Sequence, residues 1–355
     1  MSKKTQNWAV PLIAVLLGML GGAGLMLIFG YDPFWAYYDL FSTAFGSLKH
    51  IGEILRAMSP LILIALGFSV ASKAGLFNIG LPGQALAGWT SAVWFALAFP
   101  ELPKVVSIVC TVIIGLVAGG ITGAVPGILR AYLGTSEVIV TIMMNYIILY
   151  VANNIVRFGF TADMLRSSEA SNRVSASASY QTDFLSSLTD GSRFNIGFFL
   201  AIVAVFLVWF MLKKTTTGFE ITSVGFNPNA SEYAGISSKR VIIMSMIISG
   251  ALCGLGGTVE GLGTFQNAFV QNSSLAIGWN GMAISLLAAN SPIGIPFAAL
   301  LYGVLSVGKT GMIGVPSEII DVVSALIIFF VGANYIIKYW IRPRHKSVKA
   351  KGGQN

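Results

Sequence analysis

Charge is scarce in this chain. Only 10% of its 355 residues are Asp, Glu, Lys or Arg, whereas a soluble globular protein carries about 25%. That shortage excludes a water-soluble enzyme as the reading of the whole chain. Cysteine is nearly missing as well. Cys110 and Cys253 are the two, both inside apolar runs, so neither a disulfide framework nor a thiolate metal site is implied. The two histidines, His50 and His345, lie far apart without ligand-like neighbours. No nucleophile–base pair or metal cluster can be assembled from this set, and no cofactor is expected. Acidic residues number 14 against 22 basic ones, a net charge of +8. Such an excess can mark a nucleic-acid binder. Here the basic residues belong at the cytoplasmic ends of membrane spans, and no nucleic-acid partner is expected.

What the chain has instead is hydrocarbon: 55% of its residues are hydrophobic. A helix needs about 20 apolar residues, at about 1.5 Å each, to cross about 30 Å of bilayer core. Ten apolar segments lie near 9–30, 53–71, 83–99, 104–129, 137–157, 195–212, 241–262, 279–289, 294–309 and 317–338. The expectation is an all-α polytopic protein of the plasma membrane, one transmembrane domain over 1–355 with about ten transmembrane segments in contact with lipid. The eighth and ninth segments are too short to cross as straight helices. The first follows Met1-Ser2-Lys3-Lys4 and resembles a signal sequence, but with more spans behind it a retained helix is expected. Placing the amino terminus inside puts Lys73, Arg130, Lys213, Lys214, Lys239, Arg240 and the basic carboxyl-terminal tail on the cytoplasmic side, so both termini are expected there. Loop 158–193, rich in Ser and Asn, is then extracytoplasmic and at best partly ordered. Loop 213–240 is the only long cytoplasmic connection.

The stretch GVLSVGKTG at 303–311 fits the phosphate-binding pattern G-x-x-x-x-G-K-[ST]. A true P-loop follows a buried strand and opens a helix in an α/β domain. Gly303 and Gly308 instead close an apolar run, and Lys309 falls at the outer face, away from ATP. Close helix packing is the better use of these glycines.

Two short patterns recur in the same order. IGLPGQA at 79–85 shares I-G-x-x-G-x-A with IGWNGMA at 277–283, and SEVI at 136–139 resembles SEII at 317–320. The topology puts the two copies on opposite sides of the membrane. That is the trace of an inverted repeat, about 53–157 against 241–338, an arrangement typical of transporters. Ser136-Glu137 and Ser317-Glu318 also suit helix starts, Ser as cap and Glu at the positive end of the dipole.

Loop 213–240 carries its own punctuation. Asn227 suits an N-cap, Pro228 the first helical position and Gly235 a C-terminal stop, so a two-turn helix is expected over 228–234. Alone in water so short a helix is marginal, and a partner or the rest of the loop should hold it. TGFEITSVGFNPNASEYAGI, within this loop, resembles the coupling loop of permease subunits of ABC importers in the branched-chain amino acid and ribose permease superfamily. GLFNIGLPGQ at 75–84, GAVPGILRAYLGTSEVIVTIMMNYI at 123–147 and DVVSALIIFFVGAN at 321–334 resemble its nucleoside, basic membrane lipoprotein-associated branch. The chain departs from the branch at Pro82, where members carry an acidic residue, and at Asn290-Ser291, near which they carry Arg-Asn. The resemblance implies that Gly225, Asn227, Pro228, Ala230, Tyr233, Ala234 and Gly235 dock on a separate ATPase subunit. It further implies a second permease subunit forming a heterodimer and an extracytoplasmic substrate-binding lipoprotein. Hydrolysis then happens on the neighbour, and this chain is not an enzyme.

Polar residues inside spans are candidates for the solute path: Asn78, Gln84, Asn145, Asn153, Glu260, Asn280 and Asn290. Most are neutral amides, which suit an uncharged polar solute better than an ion, though interhelical hydrogen bonding uses the same groups. Glu260 is expected near the outer end of its span, facing water. The leading expectation is a nucleoside permease of an ABC importer. The alternatives are a permease for a sugar or branched-chain amino acid, and an ion-coupled secondary transporter.

Overall fold

The computed structural model describes residues 3–332. The end of the tenth apolar segment and the basic tail from Lys338 lie outside the described residues. Fourteen α-helices follow one another within them: α1 Lys3–Ile28, α2 Pro33–Phe45, α3 Leu48–Lys73, α4 Leu81–Ala98, α5 Lys104–Leu133, α6 Glu137–Asn154, α7 Asp183–Leu188, α8 Gly197–Lys214, α9 Thr216–Phe226, α10 Pro228–Tyr233, α11 Ser238–Val259, α12 Ala276–Leu287, α13 Ile295–Gly308 and α14 Ser317–Gly332. A two-residue strand pairs antiparallel with a three-residue one, β1 Leu165–Ser167 with β2 Ala170–Ser171. Each of the ten apolar segments coincides with a helix. Aromatic-rich α2 was not expected.

Among the described residues, five segments are long and apolar enough to cross a membrane: Leu48–Lys73, Lys104–Leu133, Glu137–Gly159, Gly197–Lys214 and Ser238–Phe265. At 12 residues, α12 is about 18 Å long and cannot cross alone.

The chain divides into two compact units, one formed by 1–37 and 314–355 and the other by 38–313. In the first, α1 packs on α14, and the Tyr37 hydroxyl donates to the Met19 carbonyl at 2.7 Å. In the second, α11 is the hub, packed against α5, α3 and α4. The apolar windows of α3 and α11 are 83% and 67% buried, against 28%, 22% and 22% for α5, α6 and α8. Two helices therefore form the interior and three lie at the periphery.

The α5–α11 contact has a simple sequence cause. Gly115, Gly119 and Gly123 recur every fourth residue on α5 and meet Gly250 and Gly254 of α11. A Cβ at Gly254 would stand 2.8 Å from the Gly119 Cα. Hydrocarbon side chains gain nothing from lipid-to-protein transfer, so close backbone approach at small residues supplies the association.

Loop 158–193 is ordered, which corrects the expectation drawn from its composition. The reason is long-range backbone pairing. Ser171, Val174 and Tyr180 donate their N–H groups to the carbonyls of Ala268, Gln266 and Leu262. Tyr180 is fully buried, its hydroxyl 3.1 Å from Thr111 Oγ1, and burial pushes the phenol well above its usual range.

Candidate solute path and coupling segment

Most of the polar residues proposed for the path are bound to the protein itself. Asn78 Nδ2 donates to Ser249 Oγ at 2.8 Å and to Gln84 Oε1 at 3.0 Å, and Gln84 Nε2 donates back to Asn78 Oδ1 at 3.3 Å. All three side chains are buried. Asn145 clamps the start of α4, accepting from the Gly83 N–H and donating to the Ile79 carbonyl, both at 2.9 Å. Asn153 pairs in both directions with the Gln271 backbone. Asn290 donates to Ser72 Oγ at 2.7 Å, accepts from Ser285 Oγ at 3.1 Å, and its carbonyl takes the Ser69 hydroxyl. Asn290 sits at φ 54°, the left-handed region that Asn tolerates better than most residues. Asn280, half-buried, has no side-chain hydrogen bond among the described residues.

Glu260 is buried, not facing water. It opens a π-helical turn, Glu260–Phe265, at the end of α11. Such wide turns recur at functional positions. Thr264 Oγ1 donates to Glu260 Oε2 at 3.0 Å and accepts from Arg56 Nη1 at 3.1 Å. Arg56 Nε in turn contacts Glu53 Oε2 at 2.7 Å. Glu53 also takes the Arg193 backbone N–H at 2.8 Å and its Nη2 at 2.9 Å. Glu53 thus pairs with both Arg56 and Arg193, and Thr264 links Arg56 to Glu260, so the group ties α3, the π turn and the long loop together. On the other side of the turn, Trp89 stacks on Phe265 with ring centres 5.0 Å apart, and Phe269 meets both rings edge-on.

The two copies of I-G-x-x-G-x-A touch. A Cβ on Gly278 would reach within 2.5 Å of the Pro82 ring and backbone nitrogen, so α12 can lie against the start of α4 only while that residue is glycine. Ser136 stands at the N-cap of α6 but its side chain caps nothing. Glu137 instead pairs with Arg130 across the α5–α6 turn at 3.3 Å. Ser317 is the first residue of α14 rather than its cap.

In loop 213–240 the helix at 228–234 is present as α10, ended by Gly235 at φ 85°. Asn227 Oδ1 accepts from the Ala230 N–H at 3.1 Å. A second helix, α9, precedes it, capped by Thr215 Oγ1 on the Gly218 N–H at 3.2 Å. Gly225 lies in α9, not in the short helix. It presses on the Lys73 and Ala74 backbone at the end of α3, leaving no room for a side chain. Asn227, Pro228, Ala230, Tyr233, Ala234 and Gly235 are exposed. Ser231 is buried, with its hydroxyl on the Asn227 carbonyl at 3.0 Å.

The phosphate-binding pattern at 303–311 occupies the end of α13 and a 3₁₀ turn, with no strand before it. Gly303 packs on Ile54 and Gly308 on Leu40.

The family model described as the branched-chain amino acid transport system / permease component matches residues 50–332. The chain belongs to this permease family. It is 53% identical to the nucleoside ABC transporter permease protein NupB of Lactococcus lactis subsp. cremoris over 99% of this chain and 97% of that one. It is 42% identical to the guanosine ABC transporter permease protein NupP of Bacillus subtilis, over 96% and 97%. It is 29% identical to the glucose ABC transporter permease protein TsgB13 of Haloferax volcanii, over 93% and 88%. No solved structure matches the chain. The permease is an integral plasma-membrane protein of the ABC class, in accord with its apolar helices.

Sequence reasoning about the permease missed Glu53, Arg56 and Arg193 as one ionic cluster. The signal was thin: Glu53 and Arg56 are three residues apart, the spacing of a helical pair, but Arg193 is remote in sequence. It also missed the Trp89–Phe265–Phe269 group, because aromatic residues in apolar runs read as lipid-facing until their rings are seen to meet.

Proposed function

We propose that this chain is the permease subunit of an ATP-driven importer of nucleosides. The observation that carries the reading is the 53% identity to NupB across nearly the full length of both chains. The termini lie in the cytoplasm, and segments 53–157 and 241–338 form an inverted repeat. ATP is hydrolysed on a separate subunit that docks on the exposed surface of Asn227, Pro228, Ala230, Tyr233, Ala234 and Gly235. Gly225, pressed on the end of α3, passes the motion into the membrane core. An extracytoplasmic lipoprotein delivers the solute. The second permease subunit is an unlike chain. L. lactis has a second nucleoside ABC transporter permease protein, NupC, 23% identical to this chain over 72% of its length, which supports a heterodimer.

A sugar permease is the second reading, favoured by the H. volcanii relative but at much lower identity. Ion-coupled secondary transport falls with membership of the ABC permease family. The test is uptake of radiolabelled guanosine, glucose and leucine by cells lacking their own nucleoside importers and expressing the complete set of subunits. Guanosine uptake that stops without the ATPase subunit is expected. Glucose uptake with no guanosine uptake overturns the reading.

A further inference from the structure

The corner between α12 and α13 is built against local preference. Helix α12 ends in a Schellman turn: the Asn290 N–H donates to the Ser285 carbonyl at 2.8 Å and the Ala289 N–H to the Leu286 carbonyl at 3.0 Å. The residue just past the cap of such a turn is left-handed and usually glycine. The chain has 40 glycines, yet it places Ala289 there at φ 52°, followed by Asn290 at φ 54°. Two successive non-glycine residues in this region persist only where the surroundings hold them.

The end of α3 holds them. Ser69 Oγ donates to the Asn290 carbonyl at 2.8 Å, and Asn290 Nδ2 donates to Ser72 Oγ at 2.7 Å. Lys73 is the last residue of α3 and Ala74 its cap, and these two supply the backbone on which Gly225 of α9 presses. One end of α3 is thus shared: α9 bears on it at 73–74, and the α12–α13 corner is tied to it at 69 and 72. Close packing of this kind transmits displacement, because no gap is left to absorb it. At its other end α12 meets the start of α4, with Gly278 against Pro82. The start of α4 is fixed by side chains of α6 and α11, through Asn145 on the Gly83 N–H and Ser249 on Asn78. Among the described residues α12 makes a single side-chain hydrogen bond, from Ser285 to Asn290 Oδ1. The corner therefore carries α12.

We propose that Asn290 is a positioning residue for transport: through it the end of α3 passes the motion of the coupling segment to α12, which shifts against the fixed start of α4. This rests on the reading that an ATPase drives the permease from the 227–235 surface. Asn290 touches no solute in this role. It sets where α12 stands when α9 moves the end of α3.

The experiment uses the complete importer in proteoliposomes and reads guanosine taken up per ATP hydrolysed. The double variant Ser69→Ala/Ser72→Ala removes both ties and leaves the corner's own residues intact. Two lost hydrogen bonds should lower that ratio about tenfold. The docking surface shares no partner with these serines, so ATPase capture should stay within about twofold of wild type. Asn290→Gly keeps the left-handed turn, removes the amide and should lower the ratio in the same direction; it decides the matter if the serine variant does not accumulate. Ser72→Thr keeps the hydroxyl and should keep most of the coupling. In a background of Cys110→Ala and Cys253→Ala, Ser72→Cys and Asn290→Cys bridged by a short bis-methanethiosulfonate should recover the ratio that the unbridged pair loses. A bridge that stops uptake shows that the contact must part during transport and overturns the proposal. Uptake and hydrolysis falling in proportion, with a lower melting temperature, assign the ties to folding and also overturn it. An unchanged ratio in both variants, in an importer driven by its ATPase, overturns the joint alone. Wild-type uptake that needs no ATPase overturns the importer reading and the joint with it.

Discussion

Truncating Tyr233 separates partner binding from folding. The side chain is 95% exposed, so the permease itself loses almost nothing when the ring is removed; exposed substitutions of this kind stay within about 0.5 kcal/mol. The turn around it is held by other groups: the Asn227 cap, the buried Ser231 hydroxyl and Gly235 at φ 85°. If the ATPase covers this surface, an aromatic anchor at its centre contributes about 2 kcal/mol to binding, close to 30-fold in affinity. Tyr233→Ala should therefore leave the melting temperature of the solubilised permease unchanged and weaken capture of the ATPase subunit about 30-fold in a titrated pull-down. Ser231→Glu is the contrast. It forces a carboxylate into a buried position and should disturb the turn, lowering stability as well as capture. Ala234→Glu, on the exposed side, should impair capture alone. Tyr233→Ala binding the ATPase within twofold of wild type would show that the docking surface is elsewhere.

Other outcomes follow from single contacts. Glu53→Ala strips Arg56 and Arg193 of their shared carboxylate; the cost is on the order of 2 kcal/mol, read as a lower melting temperature and faster external proteolysis within 158–193. Gly254→Leu drives a side chain into the Gly115 and Gly119 backbone and should destabilise by about 1–3 kcal/mol or more; unchanged thermal stability in detergent would refute the account of the α5–α11 contact. In the cysteine-free background, Lys214→Cys should be labelled only from the cytoplasm and Asn272→Cys only from outside, and labelling from one side would sink the proposed topology. Purified permease without its ATPase should bind no ATP, and Lys309→Ala should change nothing in a nucleotide-binding assay.

The pattern at 303–311 shows how context settles a motif. Its residues are right, but the run of apolar residues before it makes a helix, and the glycines serve as flat contact points for Ile54 and Leu40. That much was readable from the neighbouring sequence. The punctuation of α10 was readable too, because capping is local: Asn227, Pro228 and Gly235 act within a few residues of one another. The orientation of α10 was not. Which side of a two-turn helix is covered depends on what lies beneath it, and here Ser231 is buried while Ala234 is exposed.

By itself the sequence determined the class of solvent and the number of apolar segments. Length and hydropathy act along the chain, and a bilayer admits few structures for a run of 20 apolar residues. Only the tertiary structure decided what each polar group inside those segments does. An apolar helix has no polar face to betray its orientation, so Asn78, Gln84, Asn145, Asn153 and Asn290 looked like path residues until their partners were in place. Glu260 looked like a solvated end until Thr264 and Arg56 closed over it. Loop 158–193 looked at best partly ordered because its composition lacks a core of its own. Its order comes from carbonyls at 262–268, more than 80 residues away. Hydrogen bonding is short in space and unconstrained in sequence, so only the folded chain brings these partners together.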